Sequence, residues 1–536
     1  MRVSLRIYKY LLFALALAVL GCGGSKSSSG SNDVVGGDAT NGGDTVDATP
    51  DVDLGSHTAA ALCGPAGCTI SSSDGRLQLV VPPDALESDV VLFIDEIAEA
   101  DRPASPFTPR GRTITIGPAD QTFKKTVQVV IKSDGTKWFN PYLQHYDATT
   151  TTWTKLERDA QPTLPSDPIF TVSAQTSTLG IFTVADERFL SPQWMALTDT
   201  HLFVSNAAVT LDASFNTTYH EAWITIVDRT TSEVVKLIRT TQLNPNNLLI
   251  RDQKLYVVNA GSYEFDSSFA PLSTSDGGLD VFDLSVDPTT WTTPQFNIKI
   301  PSTTSGHRGA PGVIAILSDG KTAFLGSNVA PELFEIDLDT KSIRSVVVLP
   351  KLSGDSPSYT ARPYLRGSDD MLYVGLPDED RVILVNPLDA QVQPDMYSVK
   401  SKTGDNPARP DFLEPNAPTG IFALNTVGQT LSVIDLAQKS VTDDVLELGL
   451  YPNVLRINGS SAYVVVSGDH ALAQFIATKP EPSTLVAAYL TFPEGSNPFD
   501  LVISVDGSLG FVSDQVRNRV YAVKLGSAPE LLSEIE

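Results

Sequence analysis

At 536 residues the chain is too long for one compact domain, and 63 Asp plus Glu against 38 Lys plus Arg give it a formal net charge of −25. A surface that acidic repels phosphate backbones and anionic headgroups, which excludes general nucleic-acid binding. Hydrophobic residues reach 41%, enough for real cores, but 37 Gly and 36 Pro interrupt the chain too often for long helices.

Residues 1–21 read as a secretory signal: Arg2, Arg6 and Lys9 precede an unbroken apolar run of ten, residues 11–20, too short to span a bilayer. The run ends at Val19-Leu20-Gly21-Cys22, which resembles the lipobox of bacterial lipoproteins. That resemblance implies cleavage before Cys22, a diacylglycerol thioether on its sulfur, and a further chain such as palmitate on the new amine. An ordinary secretory signal with an incidental cysteine is the alternative. Gly23 follows the cysteine, where Asp resembles an inner-membrane retention signal. The expected address is therefore the outer membrane, on its periplasmic side or at the cell surface.

Residues 22–62 read as the lipidated cysteine and a disordered tether of Gly, Ser and Asp. Asp33, Asp38, Asp44, Asp47, Asp51 and Asp53 recur there, with no Lys or Arg between Lys26 and Arg76. Low hydrophobicity with charge of one sign cannot offset the entropy of folding. A calcium loop needs a glycine and a terminal Glu at fixed spacing, and both are missing. Cys63 and Cys68 close a short Cys-Gly-Pro-Ala-Gly-Cys loop, and export would put them in an oxidising compartment, so a disulfide is expected. A metal site would need more ligands, and only His57 is near.

Residues 63–186 carry short alternating segments at 77–81, 90–94, 112–116, 126–131, 142–146, 153–156, 169–172 and 181–184. Val127, Val129 and Ile131 fall on one face, Gln128 and Val130 on the other. Such strands predict an antiparallel β-sandwich. The order Gly75-Arg76-Leu77-Gln78-Leu79, Pro82-Pro83-Asp84-Ala85-Leu86, Phe123, Tyr146, Trp153, Leu156 and Ile181-Phe182-Thr183-Val184 resembles the β-sandwich module shared by ankyrins and netrin receptors. It implies a non-catalytic interaction or spacer module; another immunoglobulin-like sandwich is the alternative.

Residues 191–536 repeat. Pro192, Pro245, Pro311, Pro363, Pro410, Pro452 and Pro498 each open a hydrophobic run, at spacings of 53, 66, 52, 47, 42 and 46 residues. Each run leads through a turn to a second strand and then to a third that often ends in Asp or Asn, as at Asp228, Asp283, Asp337, Asn386 and Asp435. Four strands at this period predict a seven-bladed β-propeller. Tyr256-Val257-Val258-Asn259 and Leu431-Ser432-Val433-Ile434-Asp435-Leu436 resemble YVTN-type propeller repeats of the lactonase-like superfamily. The fold class is thus all-β, an N-terminal antiparallel β-sandwich followed by a seven-bladed β-propeller.

Chemistry is sparse. The sequence has no His-Glu-x-x-His, no Gly-x-Ser-x-Gly and no phosphate-binding loop, and the terminal Asx residues are expected to cap their own turns. No catalytic residue, metal or cofactor is therefore assigned. The residues following the repeat prolines are the channel-mouth candidates: Gln193, Asn246, Asp411 and Asn453, with Asp500 two positions on. The large insertions fall between second and third strands and at the crossovers, which share one face of the disc. They supply the binding-face candidates Phe215, Tyr219, Tyr263, Phe265, Phe269, His307 and Tyr359. Aromatics in polar loops either anchor those loops or make contacts. Two function classes stand. One is a membrane-anchored binding platform for a protein or glycan; the other is a hydrolase resembling propeller lactonases, acting on a small lactone or ester through a metal at the channel mouth.

Overall fold

The computed structural model describes residues 56–104, 111–134, 139–159, 169–211, 217–265, 271–304, 307–350, 360–365, 371–389, 391–401, 407–416 and 420–536. The signal, Cys22 and most of the expected tether lie outside them. The described chain divides into two compact units, with the division between Arg188 and Phe189. Among the described residues no helix is long and apolar enough to cross a membrane.

The first unit is a β-sandwich. One sheet runs Ala59–Cys63, Val90–Ile97, Thr113–Gly117, Gly180–Asp186, Pro141–Asp147 and Thr152–Lys155; the other runs Cys68–Ser71, Leu77–Val81, Val127–Asp134 and Ile169–Thr176, with every pairing antiparallel. The expected alternation holds: Val127, Val129 and Ile131 are fully buried, packed in one core with Leu77, Leu79, Leu92, Ile94 and Phe182. The boundary at residue 63 is corrected. A strand begins at Ala59, inside the expected tether, and pairs Ala60 with Phe93. Three consecutive alanines carry little strand propensity, so pairing with Val90–Ile97 decides that segment. The disulfide Cys63–Cys68 forms, with Cα atoms 5.5 Å apart, and it joins strands of different sheets where the chain changes layer.

The second unit holds seven four-stranded antiparallel sheets, each in sequence order, spanning 192–239, 245–300, 311–348, 362–398, 410–447, 452–491 and 498–535. The first strand of each sheet packs on the first strand of the next, and Pro498–Ile503 of blade 7 packs on Pro192–Leu197 of blade 1. The sheets therefore close into a seven-bladed β-propeller whose first strands surround the axis. Among the described residues no strand is donated across the closing seam. Ser191 N–H to Asn518 Oδ1 (2.8 Å), Ser513 Oγ–H to the Gln193 carbonyl (2.5 Å) and Met195 N–H to Asp500 Oδ2 (2.8 Å) cross it instead.

Six of the seven repeat prolines are the first residue of an inner strand, and Pro363 is the second residue of Arg362–Leu365. Proline lacks a ladder donor, so it belongs at a strand start. In five blades the preceding residue is left-handed: Ser191 (φ 51°), Asn244 (57°), Ala310 (57°), Arg409 (57°) and Tyr451 (53°). That conformation costs a non-glycine residue about 1–2 kcal/mol. Each is held by the same clasp, its carbonyl accepting the amide of the residue just past, or ending, the second-strand ladder: Ala207, Ala260, Asn328, Thr426 and Ser467, at 2.8–3.1 Å. The third-strand Asx residues cap their own turns as expected. Asp228 Oδ1 accepts from Thr230 and Thr231, and Asp337 Oδ1 from Asp339 and Thr340, which with Arg344 pushes Asp337 down to about 2.

Candidate binding face and channel

In a blade ordered 1-2-3-4, the connections between strands two and three emerge on the same face as the crossovers. On this face two insertions form hairpins: Val209–Leu211 with Thr217–Tyr219 in blade 1, and Tyr263–Phe265 with Pro271–Ser273 in blade 2. A third, Thr303–Thr304 with His307–Arg308, sits in the next crossover and contains His307. The first two interlock. Tyr219 Oη–H donates to the Tyr263 carbonyl at 3.2 Å with ring centroids 6.0 Å apart, and Phe265 meets Tyr263 edge-on at 6.2 Å. Burial pushes both phenols above their usual range. Tyr219 and Tyr263 thus anchor the hairpins on each other, while Phe265 stays 44% exposed and Leu272 37% exposed. Phe215, Phe269 and Tyr359 lie outside the described residues.

On the opposite face the longest connection among the described residues follows Asp283 and is pinned by Trp291. Its ring stacks on Phe282 (4.9 Å) and Phe203 (5.7 Å), and its Nε1–H donates to the Asp283 carbonyl.

The inner strands place the channel-mouth candidates differently from one another. Gln193, Asn246, Asp411 and Asn453 are half-buried. Asn453 Nδ2–H donates to Ser467 Oγ, whose hydroxyl donates to the Pro498 carbonyl (2.6 Å), so this pair stitches blade 6 to blade 7. Asp500 is corrected: it is fully buried and does not stand at the mouth. The strand bulges between Pro498 and Leu501, which turns Asp500 toward the neighbouring blades. Its carboxylate accepts from Met195 N–H of blade 1, Leu501 N–H, and Arg456 Nη2 of blade 6, all at 2.8 Å. Asn247 repeats the contact on blade 2, where its Oδ1 accepts from Ile314 N–H at 3.4 Å.

Asp411 sits in an ionic cluster that spacing alone did not reveal. Arg409 Nε reaches Asp411 Oδ2 (2.9 Å), Arg409 Nη1 reaches Asp378 (3.0 Å), Arg409 N–H donates to Asp380 (2.7 Å), and Arg362 Nε lies 3.7 Å from Asp411 Oδ1. Deeper on the same wall Glu414 faces Arg456. Burial pushes Glu414 up to about 7, against the pull of Arg456 and the Ile457 amide and with a push from Asp500. Arg456 lies over the Phe412 ring at 5.0 Å, and Tyr364 meets Phe412 edge-on at 5.5 Å. Burial pushes Tyr364 up to about 12. Arg362, Arg409, Glu414 and Arg456 acquire meaning only from neighbours on adjoining blades.

Asp411 and Asp500, the two anionic members of the candidate set, each engage an arginine and do not converge on the axis. That donor set does not fit a hard cation. Among the described residues no group of three or more His, Cys, Asp or Glu is placed to hold a metal.

No known family profile and no curated protein matches the chain. Solved structures that resemble it include an inactive variant of virginiamycin B lyase from Staphylococcus aureus with quinupristin (11% identity, 62% of this chain and 95% of that one, TM-score 0.43). A provisional 6-phosphogluconolactonase from Bacteroides fragilis is 14% identical (64% and 95%, TM-score 0.43), and the Pan2 WD40 domain of Neurospora crassa is 12% identical (62% and 88%, TM-score 0.40). These likenesses carry nothing about activity; the seven closed sheets themselves make the chain a β-propeller protein.

Proposed function

We propose that this is a lipid-anchored protein of the cell envelope whose propeller recognises a protein or glycan on the face built up by its long loops. Its anchor is Cys22, and the outer membrane is its address. The observation that carries the recognition reading is the interlocked pair of hairpins on blades 1 and 2. Ordering two insertions against each other costs conformational entropy, yet the result leaves Phe265 and Leu272 presented to solvent. Rigid, partly exposed aromatics are favoured at binding hot spots. The sandwich serves as a spacer between anchor and propeller.

The test has two arms. Replacing Cys22 with Ser moves the protein from the membrane to the soluble fraction; a variant that stays in the membrane refutes the anchor. Cross-linking on intact envelopes, followed by mass spectrometry, identifies what the propeller touches. Shortening 260–278 to a tight turn removes that cross-link while the unfolding temperature stays nearly constant. A cross-link that survives this deletion and a matching one at 206–220 places the binding surface elsewhere.

A further inference from the structure

The inner wall of the propeller is chemically lopsided. The inner strands of blades 1 and 3, Pro192–Leu197 and Pro311–Ile316, contain no ionisable side chain, and Arg251 at the far end of the blade 2 strand is tied to the Ile316 carbonyl (2.8 Å). Blades 4 to 6 instead place Arg362, Tyr364, Asp411, Phe412, Glu414 and Arg456 along one sector. Tyr364, Glu414 and Arg456 keep some accessible surface although they lie on the innermost strands. Ring closure does not require Tyr364 or Glu414, because blades 1 and 3 close without such groups. Burying polar groups without full partners is costly, and convergent polar groups on an apolar concave wall mark a ligand site.

The pairing within this sector defines the ligand. Arg456 is paired with Asp500, and Arg409 and Arg362 share Asp378 and Asp411, so three guanidiniums meet three carboxylates and no net charge awaits an ionic partner. Neutral hydrogen-bonding capacity remains. Glu414, which keeps some accessible surface and takes up its proton at about 7, leaves hydrogen-bonding capacity beyond the Ile457 amide. In the same sector stands the ring of Tyr364, which meets Phe412 edge-on at 5.5 Å. A charged ligand would leave an unbalanced charge in a buried setting, and a purely apolar one would strip water from Glu414 without replacement. A sugar ring satisfies both demands, with C–H groups on one face for an aromatic ring and hydroxyls at its rim that donate and accept.

We propose that the sector formed by Arg362, Tyr364, Glu414 and Arg456 on blades 4 to 6 binds a neutral saccharide unit, such as the end of a glycan chain. This deepens the recognition reading and rests on it, while using residues away from the hairpins of blades 1 and 2.

The probe is a printed glycan array with neutral hexose and N-acetylhexosamine oligomers beside sialylated and sulfated ones, followed by calorimetry with the best neutral oligomer. The expected result is binding confined to the neutral set. Tyr364→Ala and Glu414→Ala weaken it by about tenfold or more, while Tyr364→Phe and Glu414→Gln, which keep the ring and the neutral hydrogen bonds, stay within about threefold. The charged groups facing Glu414 are Arg456 and Asp500. Binding by the native protein weakens between pH 6 and pH 8, and Glu414→Gln removes that dependence. No neutral glycan bound, binding only to anionic glycans, or an unchanged affinity in Tyr364→Ala overturns the proposal. The hairpin-shortened protein keeps saccharide affinity while losing its cross-link, so failure of either idea is read separately.

Discussion

Among the described residues no strand is shared across the seam between blades 7 and 1, which makes Asp500 the residue whose loss should be felt most. Its carboxylate is fully buried and holds three donors: Met195 N–H across the seam, Leu501 N–H, and Arg456 Nη2. Burial raises its pKa, and Arg456 is the strongest opposing influence. In Asp500→Ala the guanidinium loses its paired carboxylate and keeps the carbonyls of Leu501 and Leu455, the Phe412 ring and the facing Glu414. Removing one member of a buried ion pair typically costs about 3–5 kcal/mol, because the survivor stays desolvated. Asn247→Ala is the internal control. It removes the equivalent contact between blades 2 and 3, but that bond is neutral and 3.4 Å long, worth about 0.5–1.5 kcal/mol. Urea unfolding followed by far-ultraviolet circular dichroism and tryptophan emission reads both, and Trp194 at the seam reports locally. Asp500→Asn, which keeps an acceptor for Met195 but loses the charge, should fall between them. If Asp500→Ala costs no more than Asn247→Ala, the seam is held by inner-strand packing and the clasp is incidental.

Glu414 takes up its proton at about 7 in the folded protein and near 4.5 when unfolded, so its stabilising contribution is complete below about pH 4.5 and is lost as pH rises to about 7. The shift is worth up to about 3 kcal/mol, and urea midpoints at pH 5 and pH 8 should show Glu414→Gln losing that part of the slope. The paired change Cys63→Ser and Cys68→Ser should lower stability by about 2 kcal/mol, the entropy of so short a loop, in the sandwich transition alone; a matching loss in the propeller transition refutes the independence of the units. Gln429 sits at φ 59° in a turn, so Gln429→Gly should raise the propeller's stability by up to about 1 kcal/mol, read as a higher urea midpoint, and a lowered midpoint means its side chain contributes more than the backbone costs.

The blades were legible because their information is local. Alternation, a proline at each inner-strand start and Asx at the third-strand turns all operate within about a dozen residues, and they located all seven repeats. What lay hidden operates between blades. The partner of Arg456 is 44 residues away and that of Met195 is 305 residues away, so the spacing of Asp500 from its proline pointed to the axis while the bulge turned it aside. The strand at Ala59–Cys63 escaped notice for the same reason, since its register is imposed by Val90–Ile97. The aromatics of the long loops could be recognised as unusual in sequence, but only the hairpins show that Tyr219 and Tyr263 face each other while Phe265 stays 44% exposed.

The left-handed residue and its clasp at the start of five inner strands give the propeller a form of mechanical insulation. Whatever path a crossover or insertion takes over the face, the chain enters the disc through the same fixed joint, with the carbonyl of Ser191, Asn244, Ala310, Arg409 or Tyr451 already bonded and a proline fixing the next torsion. Strain or added length outside the joint is not passed to the strand beyond it. The face can therefore be remodelled loop by loop, gaining a hairpin here and a turn there, without detuning the ring. Variation among relatives of this protein should accordingly concentrate just before these joints and cease abruptly at them.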